Sequence, residues 1–210
     1  MSYSKALTKL YLISPANINV DEFTLSLEEV LSTGLVACFQ LRLKNKKDEY
    51  IIAVSKILKP ICSKYDVPFI LNDRVDLAHK VKADGVHLGE DDGSILDARK
   101  LLGPEAIIGA SCYDSKHQAM KAAEEGADYV AFGAFFDTKT KDPKTKAKIN
   151  IIKDWALISN IPCVAIGGID AINCQELVDA GADFLAVVGS IWNSNNNPMN
   201  AVKKFKSVLV

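Results

Sequence analysis

At 210 residues, with 49% apolar and 24% charged, the chain is long enough for one sizeable core and has the make-up of an ordinary soluble globular domain. A formal net charge of −1 argues against nucleic acid or an anionic membrane as a bulk electrostatic partner, and no apolar run approaches the ~20 residues of a membrane span. Five scattered cysteines without a C-x-x-C pair argue against a disulfide frame or zinc site; together with an opening stretch that lacks a signal-peptide core, they predict reduced, buried thiols in a cytoplasmic protein.

The first apolar run, residues 9–13, predicts a strand closed by Ser14-Pro15, and a helix is predicted from about Thr24 to before Gly34. Residues 36–41 form a second strand. A helical stretch with apolar positions at Ile52, Val54, Ile57, Leu58 and Ile61 leads to a third strand at 68–71. These strands are continuous apolar runs, the pattern of a parallel sheet buried on both faces.

A short pattern then recurs as KADGVHLG at 82–89, GADYVAFG at 126–133 and GADFLAVVG at 181–189. Gly126 and Gly181 stand where a helix C-cap calls for a left-handed residue, each ahead of a strand. Apolar runs at 106–109 and 162–167 fill the gaps, helices over 115–125 and 170–180 supply crossovers, and a last helix covers about 200–209. Eight strands, each followed by a helical segment, predict an α/β fold: a closed (β/α)8 TIM barrel, as one domain over 1–210. A doubly wound open sheet is the alternative, but no G-x-G-x-x-G follows the first strand.

In a barrel, polar residues at the carboxyl ends of strands share one mouth. Period-two alternation sends Gln40, Arg42 and Lys44 the same way after the second strand. The third ends in Asn72-Asp73, the fourth runs into Asp91-Asp92, and the fifth supplies Ser111. After the sixth comes a loop with Thr138, Thr140 and Lys141, while Gly167-Gly168 and Val188-Gly189-Ser190 end the last two. Taken singly, each has an ordinary reading: a surface cation, a helix cap at Asp73, a turn at Asp92-Gly93, a solvated lysine loop. His87 reads as a hydrogen-bonded strand residue near the mouth, and His79 and His117 as helix-surface residues. As a set they are more pointed. Two carboxylates, Asp73 and Asp92, suit Mg²⁺, which takes one or two carboxylates plus phosphate oxygens and water. Arg42, Lys44 and Lys141 balance a diphosphate, and glycines after the last two strands expose N–H groups to a monophosphate. Two anion sites at one mouth suggest the joining of two phosphorylated molecules, with loss of diphosphate.

The motifs QLRLK (40–44), NDRVDLA (72–78), GVHLGEDD (85–92), IIGAS (107–111), TKTK (138–141), AIGGI (165–169) and VVGSI (187–191) resemble, in order and spacing, those of the thiamine phosphate synthase family. The resemblance implies a transferase that condenses hydroxymethylpyrimidine diphosphate with a hydroxyethylthiazole phosphate. It implies that Gln40, Arg42 and Lys44 bind the pyrimidine diphosphate with help from Asn72 and Lys141, that Asp73 and Asp92 hold Mg²⁺, and that Ser111 meets the pyrimidine. Arg42, Lys44, Ser111 and Lys141 are the residues expected to carry catalysis. Thr138 and Thr140 are expected to hold the thiazole phosphate, completed by the backbone at Gly168, Val188 and Gly189. The family's chemistry is dissociative, with diphosphate leaving before the thiazole nitrogen attacks.

Some positions depart from the family pattern: Glu90 replaces a usual Gln, Ala134 and Asp137 replace prolines, and Gly189 replaces a Ser. The competing readings are a thiazole tautomerase, which carries a histidine just after the Ser111 position where this chain has Cys112-Tyr113, and a non-catalytic phosphate-ligand-binding barrel. Homo-oligomerisation is left open, since barrels bury their outer helix faces in several ways.

Overall fold

A computed structural model describes residues 7–138, 145–193 and 197–209. Eight parallel strands pair in sequence order and close on themselves: β1 (Lys9–Ile13), β2 (Val36–Leu41), β3 (Phe69–Asn72), β4 (Gly85–Leu88), β5 (Ile107–Tyr113), β6 (Tyr129–Gly133), β7 (Cys163–Ile166) and β8 (Phe184–Val187). The expected (β/α)8 barrel is the observed fold. The first seven strands are followed by α1 (Val20–Leu31), α2 (Asp48–Lys64), α3 (Val75–Val81), α4 (Ile95–Leu102), α5 (Lys116–Glu124), α6 (Asn150–Ile158) and α7 (Gln175–Ala180). After β8 come three short helices, α8 (Gly189–Trp192), α9 (Pro198–Lys203) and α10 (Lys206–Leu209).

The strand alternation divides the buried residues into two cores. Leu10 and Leu12, Phe39 and Leu41, and Val130 and Phe132 point outward into the layer shared with the helices. Their neighbours Tyr11 and Ile13, Cys38, and Tyr129 and Ala131 fill the barrel interior. Leu43 belongs to the outer core, so Gln40, Arg42 and Lys44 have the opposite parity.

The recurring aspartate has a structural reason. Asp84 accepts a side-chain hydrogen bond from the N–H of Phe69 at 2.8 Å, and its own N–H donates to the Phe69 carbonyl at 2.9 Å. Asp128 does the same to Ile108, at 2.7 Å for both bonds, and Asp183 to Cys163, at 2.8 and 3.1 Å. Each aspartate therefore satisfies backbone groups at the first or second residue of the preceding odd-numbered strand, at the barrel end opposite the mouth. The repeat is a strand-start device that leaves the mouth free for chemistry.

Several boundaries differ from the sequence expectation. The first helix begins at Val20 because Asn19 caps it, accepting from the Glu22 N–H at 3.5 Å, upstream of the apolar run. The α7 helix starts only at Gln175, since the Asp170 carboxylate takes the N–H groups of Ile172 and Asn173 into a turn. The final helix breaks in two at Lys204-Phe205. The β5 strand runs on to Tyr113, with a register shift against β6 between Ser111 and Tyr113.

Candidate active site

The ends of β2, β3 and β4 form one half of the mouth. Gln40 is buried, Arg42 half-buried and Lys44 exposed, and they line a cavity of about 360 Å³ together with Asn72, Asp73 and Asp92. Asp73 does not cap the helix after it; Arg74 holds the N-cap position and makes no side-chain cap bond. Instead Asp73 adopts a left-handed backbone (φ 64°), donates its N–H to the His87 carbonyl at 2.8 Å, and sits 3.2 Å from Lys44 Nζ. Asp92 faces it from the loop after β4, with Oδ2 accepting the Gly89 N–H at 2.9 Å.

Burial, then the facing Asp92 carboxyl, raises the Asp73 pKa above its ordinary range, and Lys44 offsets this in part. Two carboxyl groups pressed together fit a hard divalent cation, which removes the repulsion. Among the described residues no group of three or more His, Cys, Asp or Glu side chains gathers into a metal cage. A cation here would take its remaining ligands from substrate oxygens and water, as Mg²⁺ does.

The ends of β6, β7 and β8 form the other half, around a cavity of about 420 Å³ lined by Thr138, Gly168, Val188, Gly189 and Ser190. The chain after β6 extends the ladder past its end, with Phe135 and Phe136 donating to the Ile166 and Gly167 carbonyls at 3.2 and 3.0 Å. This brings backbone so close to Gly168 (φ 64°) that a Cβ there would stand 2.9 Å from the Phe136 carbonyl carbon. Asp137 pairs with Lys146 at 2.7 Å across the two flanks of the loop. Thr140 and Lys141 lie outside the described residues. The short helix α8 was not expected from sequence; it carries Ser190, whose Oγ is buried with no hydrogen-bond partner among the described residues.

Arg42, Ser111 and Tyr113 line both cavities, so the two halves are adjoining compartments of one site. Burial lowers the Arg42 pKa from its ordinary value, an effect Asp73 partly opposes.

A hydrogen-bonded chain runs beneath this shared wall. Gln40 Nε2 donates to the Tyr11 hydroxyl at 3.0 Å, and the Tyr11 and Tyr129 hydroxyls meet at 2.7 Å. Tyr129 reaches His87 Nδ1 at 2.9 Å, and His87 Nε2 reaches Ser111 Oγ at 2.9 Å. Sequence reasoning placed His87 as a hydrogen-bonded strand residue but passed over both tyrosines, which read as ordinary strand aromatics. The available signal was Gly109, which pairs with Tyr129 in register and leaves the space its ring occupies.

A family model described as thiamine monophosphate synthase matches residues 10–191. The chain belongs to that family. It is 50% identical over 201 residues to a thiamine-phosphate synthase of Rhodospirillum centenum, covering 96% of this chain and 97% of the relative. A second such synthase, from Erythrobacter litoralis, is 47% identical over 199 residues, covering 93% of each. Among solved structures, thiamine phosphate pyrophosphorylase from Pyrococcus furiosus superposes with a TM-score of 0.83 at 32% identity, covering 96% of this chain and 95% of that one. Membership of the thiamine monophosphate synthase family makes this chain an enzyme of thiamine biosynthesis and a transferase.

Proposed function

We propose that this synthase joins hydroxymethylpyrimidine diphosphate to hydroxyethylthiazole phosphate, giving thiamine phosphate and diphosphate. The observation that carries the reading is the pair of adjoining cavities, one lined by Arg42, Lys44, Asp73 and Asp92 and the other by Thr138, Gly168, Gly189 and Ser190, with a common wall at Arg42, Ser111 and Tyr113.

In this reading the diphosphate lies in the cavity of Gln40, Arg42, Lys44, Asn72, Asp73 and Asp92, assisted by Lys141. Asp73 and Asp92 would hold Mg²⁺, which would supply positive charge to the leaving group. Arg42 and Lys44 share that charge and orient the diphosphate, Arg42 with a planar fork suited to its oxygens. The thiazole phosphate occupies the other cavity, on Thr138, Thr140 and the backbone at Gly168, Val188 and Gly189. The unpartnered Ser190 hydroxyl restores, one residue later, the donor that Gly189 lacks. Ser111 meets the pyrimidine where the two compartments join.

Loss of diphosphate before attack asks no strong nucleophile of the protein. Its work is to align the thiazole nitrogen with the pyrimidine methylene carbon and to stabilise the leaving anion. The test is incubation of the enzyme with both phosphorylated substrates and Mg²⁺, with chromatographic detection of thiamine phosphate. Formation of thiamine phosphate supports the reading. Interconversion of thiazole tautomers without that product, or saturable binding of phosphorylated ligands without turnover, overturns it.

A further inference from the structure

The chain Gln40–Tyr11–Tyr129–His87–Ser111 crosses the barrel interior as successive contacts of 3.0, 2.7, 2.9 and 2.9 Å. We infer that this chain has one direction, that Tyr129 is a positioning residue acting through His87, and that together they present the Ser111 hydroxyl as a hydrogen-bond donor selecting an acceptor atom on the substrate ring.

The direction follows from counting hydrogens. The Gln40 amide nitrogen has only donors, so Tyr11 oxygen accepts there. The Tyr11 hydrogen is then available to Tyr129 oxygen, and the Tyr129 hydrogen to His87 Nδ1. A neutral imidazole that accepts at Nδ1 carries its proton on Nε2, which donates to Ser111 Oγ. Ser111 has one hydrogen left, and it lies on the wall common to both cavities.

Reversed, the chain ends on a Tyr11 hydrogen that Gln40 cannot accept, beside the Cys38 thiol, a weak acceptor. Burial keeps both phenols protonated, so each stays available as a donor. The tilted Tyr11–Tyr129 pair and the stacked His87 and Tyr129 rings, 5.7 and 5.6 Å between centroids, hold the groups in line. The packing makes room for this: a Cβ at Gly109 would fall on the Tyr129 ring.

A substrate ring nitrogen with a lone pair answers such a donor; a ring C–H or N–H does not. A fixed donor left without an acceptor discriminates more strongly than an apolar wall of the same shape. The identity of the ring as the pyrimidine rests on the function proposed above, whereas the direction of the chain does not.

The test separates the two. The protein has three histidines, so ¹⁵N-histidine labelling gives a spectrum in which His87 is assigned by its loss in His87→Asn. The expected state of His87 in the unmodified enzyme is the tautomer protonated on Nε2, and Tyr129→Phe shifts it toward a mixture. An Nδ1-protonated or doubly protonated His87 in the unmodified enzyme overturns the inference, whatever the activity. In steady-state kinetics, Tyr129→Phe is expected to raise KM for the pyrimidine diphosphate about tenfold and to leave KM for the thiazole phosphate unchanged. The double variant Ser111→Ala/Tyr129→Phe should be no worse than Ser111→Ala alone, because Tyr129 acts through Ser111. Fully multiplicative losses overturn that coupling. Absence of any thiamine phosphate while His87 keeps the Nε2 proton refutes the proposed reaction and leaves the direction of the chain standing.

Discussion

Asp73 sits between a cation and an anion: Lys44 Nζ is 3.2 Å from its Oδ2, and the Asp92 carboxyl faces it from the next strand end. Burial, and after it the Asp92 carboxyl, raises the Asp73 pKa by more than Lys44 lowers it. A carboxyl raised in the folded state contributes stability below its unfolded pKa of ~3.9, and this is lost as pH rises through the folded value. At neutral pH the metal-free enzyme therefore carries the whole penalty. Asp73→Asn keeps the shape, tolerates the left-handed backbone and removes the charge. The expected outcome is a higher Tm without metal, together with loss of the Mg²⁺-dependent Tm increase and of Mg²⁺-dependent turnover. A lower metal-free Tm for the variant contradicts this account.

Arg42 lines both compartments, so its loss should be felt by both substrates. Arg42→Ala is expected to reduce kcat/KM by about 2 to 4 kcal/mol in transition-state terms if the guanidinium behaves like a buried anion-hole donor, with KM raised for both the diphosphate and the monophosphate. A rate loss under about tenfold, against that range, would remove Arg42 from the charge-stabilising role. Arg42→Lys should recover part of the loss, because the charge returns but the planar fork does not.

Ser190 Oγ is a buried donor with no hydrogen-bond partner among the described residues. Ser190→Ala is expected to weaken the thiazole phosphate by about 1.5 to 3 kcal/mol, the range for a hydrogen bond to a charged group, and to leave KM for the pyrimidine diphosphate unchanged. Its fold should be undisturbed, with Tm equal to or above that of the parent. Gly168→Ala is the contrasting case, where a left-handed position without room for a Cβ predicts about 1 to 3 kcal/mol of lost stability. Equilibrium denaturation of the two variants checks both.

All five cysteines are buried, and burial pushes Cys62 and Cys112 each up to about 12 and raises Cys38 and Cys174 as well. Thiol reactivity needs thiolate and access. Titration with a chromogenic disulfide at neutral pH should find no fast-reacting thiol in the native enzyme and five after denaturation. A fast native equivalent would locate an opening that the closed barrel does not show.

The barrel was legible because its signals are periodic. Continuous apolar strands, glycine C-caps and the three recurring aspartates all repeat around the ring, and the same parity that buries Leu43 turns Arg42 and Lys44 inward. The meeting of Gln40, Arg42, Lys44 and Asp73 at one cavity was legible as well, since they lie on or just beyond strands whose direction is set by alternation. What escaped notice depends on contacts between distant segments. Tyr11 and Tyr129 are 118 positions apart and become a pair only when the ring closes. Helix α8 is four residues long, too short for any helical period to register. Asp137 looked like the loss of a rigid proline, and its ion pair to Lys146 across the loop was invisible without knowing that the flanks run side by side.

The wall common to the two cavities has a pharmacological corollary. A single molecule carrying an anionic group for each compartment, joined by a bridge short enough to pass Arg42, Ser111 and Tyr113, loses its translational freedom once and engages both sites. The second contact then forms at millimolar effective concentration, for a short flexible bridge. Such a tethered ligand competes with any molecule that fills either cavity alone, and the bridge length at which its affinity peaks measures the span between the two anion-binding compartments.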